Sequence, residues 1–382
     1  MVRIVFILAV LFSAIQVSSQ EDDLSGVELA FDQDGFADFL RDSPYDEHNY
    51  AISMRVGIYG AYANSTYLGL PWVREKIDGF ILDRLIYKSG FREERTSHNF
   101  VFTSTGFSPS FISDETEGFD EARALGYSHA DDRPFSSFTG FRSTRRIEGS
   151  KRFAHSARLF AVAFNSSFTF GFASLGLPQG LDNLLGGRRA DALLWDEDSS
   201  KPYPTGQLIK KAIPLFLYSV STEVAVLQPL RKVLVQVRPE LNLGYYTNIG
   251  LGIDIGKVMN VEKLIDNLGF TDTHNPSVIK VNDDDLSFSL VGGVTARAVF
   301  HNAHLNGFYG WSDAHHYTWA ETRRFLLEGH VGVKVQFVKK IEVSFSINRR
   351  TSEFNDNVKR SPMWGTIGLK YLIAEEGEGC YN

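Results

Sequence analysis

Two groups of side chains in this sequence could bind a metal ion or carry out acid–base chemistry. The first contains four histidines and one aspartate, namely His301, His304, Asp313, His315 and His316. Imidazole and carboxylate groups together can hold a transition metal or act as a general base. Their spacing matches no standard ligand set, so we favour a polar loop that follows a strand, with a metal site as the alternative.

The second group is the acidic run Asn282–Asp285, whose oxygen atoms could coordinate calcium. The run lacks the glycine and the distal glutamate of an EF-hand loop. We therefore interpret it as an acidic turn at the start of a strand, and a calcium site is the alternative.

The stretch Phe325–Ile347 indicates what kind of scaffold positions these groups. Apolar residues occupy its odd-numbered positions and polar residues its even-numbered positions, on both sides of a turn at Lys339 and Lys340. This alternation predicts two paired strands with one apolar and one polar face. The first strand is long enough to cross a membrane, which takes roughly 9 to 11 residues. Alternation does not reveal which face meets water, because a soluble barrel buries its apolar face and a membrane barrel turns it outward.

The same two-residue period recurs along most of the chain and predicts an all-β fold. The predicted strands cover residues 27–33, 50–62, 99–107, 135–144, 157–170, 213–226, 233–245, 248–255, 286–300, 325–337, 341–347 and 363–372. We predict a single closed antiparallel transmembrane β-barrel of about 12 strands. Residues 71–87 instead place apolar side chains at helical spacing, which predicts a short helix in the connecting segment, capping the barrel rim.

Residues 1–19 have the features of a secretory signal peptide. Arg3 supplies the positive charge, residues 4–15 form the apolar core, and Val17, Ser18 and Ser19 are the small side chains before a cleavage site. Export and strands of membrane length together predict an outer-membrane protein, with a soluble β protein as the alternative. The predicted organisation is a signal peptide over 1–19, an acidic leader over 20–26, the barrel over 27–373 and a C-terminal tail over 374–382.

Composition narrows the range of partners. The net charge is −7 and no basic stripe is present, which argues against nucleic acid as a partner. The single cysteine, Cys380, excludes a disulfide within the chain. Aromatic residues near strand ends predict interfacial girdles, and these are Tyr245, Trp311, Trp319, Trp364 and Tyr371.

Several short motifs occur in the order found in a known family of barrels. They are Arg297-Ala298-Val299 with Asn302, Leu305 and Gly307, then Arg350-Thr351-Ser352-Glu353-Phe354, and upstream Asp132-Arg133-Pro134-Phe135 and Gly106-Phe107-Ser108-Pro109. With these motifs the sequence resembles the LpxR-type lipid A 3'-O-deacylase family from about residue 27 to 373. The resemblance implies a 12-stranded outer-membrane barrel that hydrolyses an ester-linked acyl chain of lipid A, with calcium as the metal.

The resemblance also implies a site at the end of the first strand. Gln33 and Asp34 stand where the family has an Asn-Asp pair, which implies Asp34 as catalytic carboxylate and metal ligand and Gln33 as its assisting amide. Two family residues are not matched, because Ala51 replaces a threonine and residues 179–195 contain no histidine. General base catalysis is typically worth about 10²–10⁴ in rate, so we expect slow hydrolysis or none.

Structural interpretations of the same residues remain open. Asp34 could instead form an ion pair with an interior arginine such as Arg238 or Arg297, and Arg133 and Arg350 are interpreted as structural, with lipid phosphate as the alternative contact. Two functional hypotheses follow: an enzyme acting on lipid A, or a non-catalytic barrel that binds lipid or glycolipid headgroups or serves as a scaffold. In both, the partner is a membrane lipid, lipid A or lipopolysaccharide.

Overall fold

The computed structural model of the protein describes residues 26–33, 50–64, 68–89, 91–107, 136–152, 159–173, 213–230, 233–258, 286–307, 317–337, 341–355 and 361–372. Within these residues the chain forms twelve strands and four short helices. The strands are β1 (Gly26–Gln33), β2 (Tyr50–Tyr59), β3 (Arg92–Phe107), β4 (Ser136–Arg152), β5 (Leu159–Ala173), β6 (Ile213–Leu230), β7 (Val233–Gly244), β8 (Tyr246–Val258), β9 (Leu286–Asn302), β10 (Phe325–Phe337), β11 (Ile341–Arg350) and β12 (Met363–Leu372). The helices are α1 (Ala61–Asn64), α2 (Leu70–Phe80), α3 (Leu82–Ser89) and α4 (Ala303–Asn306).

The strands form one closed antiparallel barrel. Each strand pairs with its neighbours in sequence, and β1 pairs with β12 from Gly26 opposite Leu372 to Gln33 opposite Gly365. Because the described strands are even in number, β1 begins and β12 ends at the same end of the barrel, here called the terminal end; the opposite end is the far end. The predicted fold class is confirmed.

Apolar side chains face outward from the barrel wall. Along the strands, large exposed apolar residues alternate with buried ones, and the exposed set includes Phe216, Ile249, Leu251, Ile253, Ile255, Phe288, Leu290, Val294, Leu327, Val331, Val343, Ile367 and Leu369. The buried positions between them are largely polar, including Asp32, Arg55, Arg146, Glu148, Glu223, Gln236, Asp254, Asn348, Thr366 and Lys370. This is the arrangement of a membrane barrel with a polar lumen, and it confirms the orientation of the hairpin in 325–347.

A charge placed on the outer row tests this orientation. Ile253 lies near the middle of β8 and is 48% exposed. We expect Ile253→Arg to lower the free energy of unfolding in lipid vesicles by about 2–4 kcal/mol, because the charge would enter hydrocarbon. Ile253→Leu is the control. Urea unfolding curves that coincide for the two variants would contradict the lipid-facing assignment.

Helices α1, α2 and α3 connect β2 to β3 and lie against the outer surface of the barrel. Arg74 and Asp78 of α2 contact Ser143 of β4 and Ser166 of β5. These serines belong to the outward rows, since the lumen rows of the same strands carry Arg146 and Asn165, which bind each other. In the part of the chain that the structure describes, no helix combines the length and apolarity needed to span a membrane.

The helix predicted over 71–87 is present as two helices that meet at Ile81. The prediction that it caps the rim was wrong, because α2 covers the wall and turns a polar stripe toward it. Polar groups on an outward row have no water to bind in a membrane and need a protein partner. Helix α2 supplies that partner to Ser143 and Ser166. The need to satisfy these two hydroxyl groups therefore explains why α2 lies on the wall.

Strands β3 and β4 are longer than the sequence pattern indicates. They were predicted over 99–107 and 135–144 but contain 16 and 17 residues. The added parts carry charges at adjacent positions, such as Arg145 and Arg146, so their alternation is lost. The outward Arg145 binds Asp83 of α3 at 3.0 Å instead of meeting lipid, which explains why a lipid-facing pattern failed there.

The predicted aromatic girdle was wrong at two positions. Trp364 is only 5% exposed and lies in the lumen opposite Asn348, with the Arg350 guanidinium 5.7 Å from its ring. Tyr245 stacks on Phe138 with ring centroids 5.2 Å apart. Trp319 and Tyr371 are exposed as predicted, and Trp311 lies outside the described residues. An aromatic residue near a strand end therefore faces outward only if the inward–outward alternation of the strand places it on the outward row.

Candidate functional site

The predicted site lies at the far end of the barrel, where β1 ends and β2 begins. Gln33 is the last residue of β1 and pairs with Gly365 of β12. Asp34 lies outside the described residues. On the other side, β2 pairs regularly with β1 up to Ser53, and its pairing with β3 is irregular around Ala51. The backbone thus brings together the segments that carry Gln33 and Ala51, and the roles of Gln33 and Asp34 stay predictions.

Asp32 is the described carboxylate next to this position in sequence. It faces the lumen with 4% exposure and accepts a hydrogen bond from Arg55 Nη2 at 3.3 Å. A carboxylate bound to a guanidinium balances that charge and orients the arginine. The sequence pattern did not single out Asp32, although it lies on the same face of β1 as Glu28 and Ala30, which are also buried. We assign it a structural role in the wall beside the predicted site.

A network of arginines and carboxylates crosses the lumen on β7 to β10. Arg297 donates to Glu240 and, at 2.8 Å, to Glu328. Arg238 lies 3.4 Å from Asp254 and 3.9 Å from Glu240. Arg238 and Arg297 are therefore interior arginines, as the sequence predicted, and their described carboxylate partners are these three acids. The alternating charges join four strands in a low-dielectric interior, where paired ions interact strongly.

A second network lies on β4, β5 and β6. Arg146 donates from Nε to Glu148 at 2.7 Å, from Nη1 to Asn165 at 2.9 Å, and to both carboxylate oxygens of Glu223 at 2.8 Å. Arg95 of β3 also binds Glu148. All of the guanidinium nitrogens of Arg146 are thus used inside the barrel, which indicates a structural centre and not a site that awaits a ligand.

A cavity of about 410 Å³ lies between the two networks in the lumen. Its charged lining residues are Arg142, Arg238, Glu240, Arg297, Glu328 and Arg350. The polar lining also includes Thr144, Asn165, Ser166, Ser167, Ser219, Ser221, Asn242 and Tyr246. Arginines outnumber carboxylates on this lining, so the cavity suits water or a small anion more than a cation.

The two C-terminal sequence motifs meet at the far end. Leu305 follows β9, Phe354 follows β11, and both pack with Tyr317 in one buried cluster. Leu327 donates its backbone N–H to Thr351 Oγ1 at 3.0 Å, and Thr351 donates its own to the Leu327 carbonyl at 2.9 Å. These contacts fold the connections after β9 and β11 onto each other. Arg350 lies 3.3 Å from Glu353, consistent with the structural interpretation of this arginine.

The histidine group does not form a metal site within the described residues. His304 is buried in α4, its backbone N–H donates to Asn302 Oδ1 at 3.1 Å, and its ring packs edge-on against Tyr245. His301 is the next-to-last residue of β9, whereas Asp313, His315 and His316 lie outside the described residues. Among the residues that the structure describes, no group of three or more His, Cys, Asp and Glu could hold a metal. The acidic run 282–285 and Arg133 also lie outside them.

The chemistry of the predicted ligands suits calcium. Gln33 and Asp34 offer amide and carboxylate oxygens, which are the ligands that calcium prefers. Asp32 is less suited, because its carboxylate already accepts from Arg55. The donor types therefore fit calcium at residues 33 and 34, and Asp34 remains the predicted ligand.

Comparisons with known proteins agree with this architecture. The family model described as outer membrane protein LpxR matches residues 236–373, from β7 through β12. The solved structure of LpxR from Salmonella typhimurium has 12% identity, a TM-score of 0.56, and coverage of 91% of this chain and 99% of that chain. The COG4313 outer membrane channel from Pseudomonas putida F1 has 6% identity, a TM-score of 0.39, and coverage of 93% and 99%. No curated protein sequence matches the chain.

At 12% identity the similarity to the Salmonella structure shows the fold alone, and the channel with its low TM-score adds no argument. The family match is independent of that superposition, and it contains both motifs that pack together at the far end. The matched region, which is about a third of the chain, and the shared fold together support an outer-membrane β-barrel similar in architecture to LpxR.

Proposed function

We propose that the protein binds lipid A at the far end of the barrel and hydrolyses one of its ester-linked acyl chains. The observation that carries this proposal is the family match over 236–373, which includes the motifs around Arg297 and Arg350. Three of the five connections at the terminal end are short, as periplasmic turns are, namely 153–158, 231–232 and 338–340, whereas five of the six at the far end contain 12 residues or more. The far end then faces the outside of the cell, at the leaflet that contains lipid A.

We also propose that residues 1–19 direct export and that the leader 20–26 precedes the barrel.

In this proposal the chemistry belongs to residues 33 and 34. The Asp34 carboxylate would accept a proton from the water that attacks the ester carbonyl, and would pass it to the alcohol oxygen that leaves when the acyl C–O bond breaks. The Gln33 amide would hold that water or the carboxylate in place. Bound calcium would polarise the ester carbonyl. An ordinary aspartate is a weaker base at neutral pH than histidine, so we expect hydrolysis to be slower than with histidine by about 10²–10⁴.

A second candidate is a non-catalytic barrel that holds lipid A or another glycolipid without cutting it. Ala51 favours this candidate, because it places a methyl group where the family has a hydroxyl. The absence of histidine from 179–195 favours it as well. In this case lipid A would co-purify with the barrel and keep its mass.

Mass spectrometry of lipid A separates the two candidates. Purified refolded protein is incubated with lipid A and calcium, and loss of one acyl chain is the expected result. Asp34→Asn should abolish that loss, whereas Glu93→Gln, an exposed carboxylate of β3 remote from the far end, should leave it unchanged. An unchanged lipid A mass, with an LpxR control active under the same conditions, would exclude the hydrolase. Activity that persists in Asp34→Asn would exclude the proposed site.

A further inference from the structure

Helices α2 and α3 meet at Ile81 and form a two-helix segment, here called the α2–α3 hairpin, which is attached to the barrel by its polar side. Arg74 donates from Nη1 to Ser143 Oγ at 2.9 Å. Asp78 accepts from Ser166 Oγ and from Tyr218 Oη, both at 2.8 Å. Arg74 and Asp78 are 0% exposed. The polar contact fixes the rotation of α2 about its own axis, and hence which residues point away from the wall.

The opposite side of the hairpin carries aromatic and cationic residues in alternation. Trp72, Lys76 and Phe80 follow one another at intervals of four along α2, so they lie on one face of that helix. Arg84 of α3 extends this face, because its guanidinium lies 5.8 Å from the Phe80 ring centroid. We call these four residues the outer stripe. Trp72 is 63% and Phe80 71% exposed, and each ring has the following cation 5.8 Å from its centroid.

Acidic residues beside the outer stripe are occupied by the chain itself. Glu75 accepts from Asn64 at 3.3 Å and lies 3.6 Å from Arg74. Asp83 lies 3.0 Å from Arg145 of the wall. The described contacts of Lys76 and Arg84, in contrast, are to aromatic rings alone. The outer stripe therefore presents two positive charges beside two exposed aromatic rings.

The surroundings of the hairpin indicate what covers this stripe. Leu82 of α3 packs on Val162 and Phe164, close to where β5 begins at the terminal end. The outward rows elsewhere on the barrel are apolar and exposed, so the hairpin stands where the wall meets the membrane. Aromatic rings with neighbouring lysine and arginine are typical of the membrane interface, where rings enter the headgroup layer and cations reach phosphates.

We propose that the outer stripe is a binding surface for glycerophospholipids, with Trp72 and Phe80 in the interface and Lys76 and Arg84 on lipid phosphates. The surface belongs to the terminal end and is independent of the lipid A site at the far end. It would anchor the barrel at a fixed depth and hold anionic phospholipid beside β3 to β6.

Fluorescence quenching tests the position of Trp72. The protein and its Trp72→Phe variant are reconstituted in phosphatidylglycerol vesicles that contain lipids brominated either high on the acyl chain or near its end. We expect the bromine-quenched fluorescence to fall in Trp72→Phe, and the difference to be larger for bromine near the headgroup. Quenching that is identical in the two proteins would overturn the proposal.

Native mass spectrometry tests the cations. Lys76→Gln with Arg84→Gln should retain less phosphatidylglycerol, by about fivefold in affinity for each cation removed. Glu75→Gln is the matched control, because it changes a neighbouring charge off the stripe and should retain at least as much lipid as the parent. Heat-modifiable mobility on gels verifies that each barrel is folded. Equal lipid retention by the double variant and the parent would overturn the assignment of phosphate binding.

Discussion

Replacing Arg146 by methionine is expected to lower the free energy of unfolding by about 3–5 kcal/mol, since removal of one partner leaves buried charges uncompensated. Arg146 is 1% exposed and makes two hydrogen bonds to Glu223 and one to Glu148. Methionine keeps much of the volume but offers no donor. The measurement is urea unfolding in detergent micelles, followed by far-UV circular dichroism and tryptophan fluorescence.

Two further variants distinguish loss of charge compensation from a general lumen effect. Arg142→Met removes another lumen arginine of β4, which donates to Thr169 at 3.2 Å and is part-buried. We expect it to cost less than Arg146→Met, because the Thr169 hydroxyl is neutral and no carboxylate loses a hydrogen bond that the structure describes. The double variant Arg146→Met with Glu223→Met should recover part of the loss, because the carboxylate is removed as well. An Arg146→Met barrel as stable as Arg142→Met would contradict the prediction.

Arg74→Met is expected to release the α2–α3 hairpin from the barrel wall. Burial raises the pKa of Asp78 and lowers the pKa of Arg74, so each charged form depends on the other. Without Arg74 the Asp78 carboxylate loses its partner at 3.8 Å on the same helix and retains Arg145 of the wall at 3.8 Å. The docked state should become less favourable by about 3–5 kcal/mol, whereas unfolding of the barrel should change little because the hairpin can open locally.

Limited trypsin digestion measures this release. Cleavage after Lys76 or Arg84 should be much faster in Arg74→Met than in the parent, because opening exposes the helix backbone. Trp72→Phe serves as the control on the exposed side of the same helix and should be cut at the parental rate. Asp78→Leu added to Arg74→Met should restore part of the protection, since no unpaired charge remains. Identical digestion of all variants would show that the ion pair does not hold the hairpin.

Most of the barrel could be predicted from the sequence, because strand alternation is a local property. Successive side chains of a strand point to opposite faces, so the interior placement of Arg238 and Arg297 followed from parity alone. The motif around Arg350 likewise indicated a resemblance to LpxR-type barrels, and it lies within the region that the family model matches. The candidate site was predicted less completely: the structure places Gln33 at the far end, and Asp32 beside it escaped notice because its importance lies in the contact with Arg55.

Only the tertiary structure decided where α2 lies and how long β3 and β4 are. Arg74 and Asp78 are charged and would be placed toward water by any rule based on one helix, yet they are buried against Ser143 and Ser166. The alternation of a strand can be read from its own residues, because lipid and water impose it uniformly along the wall. Where a helix replaces lipid as the neighbour, the pattern depends on a partner distant in sequence, and only the folded chain reveals it.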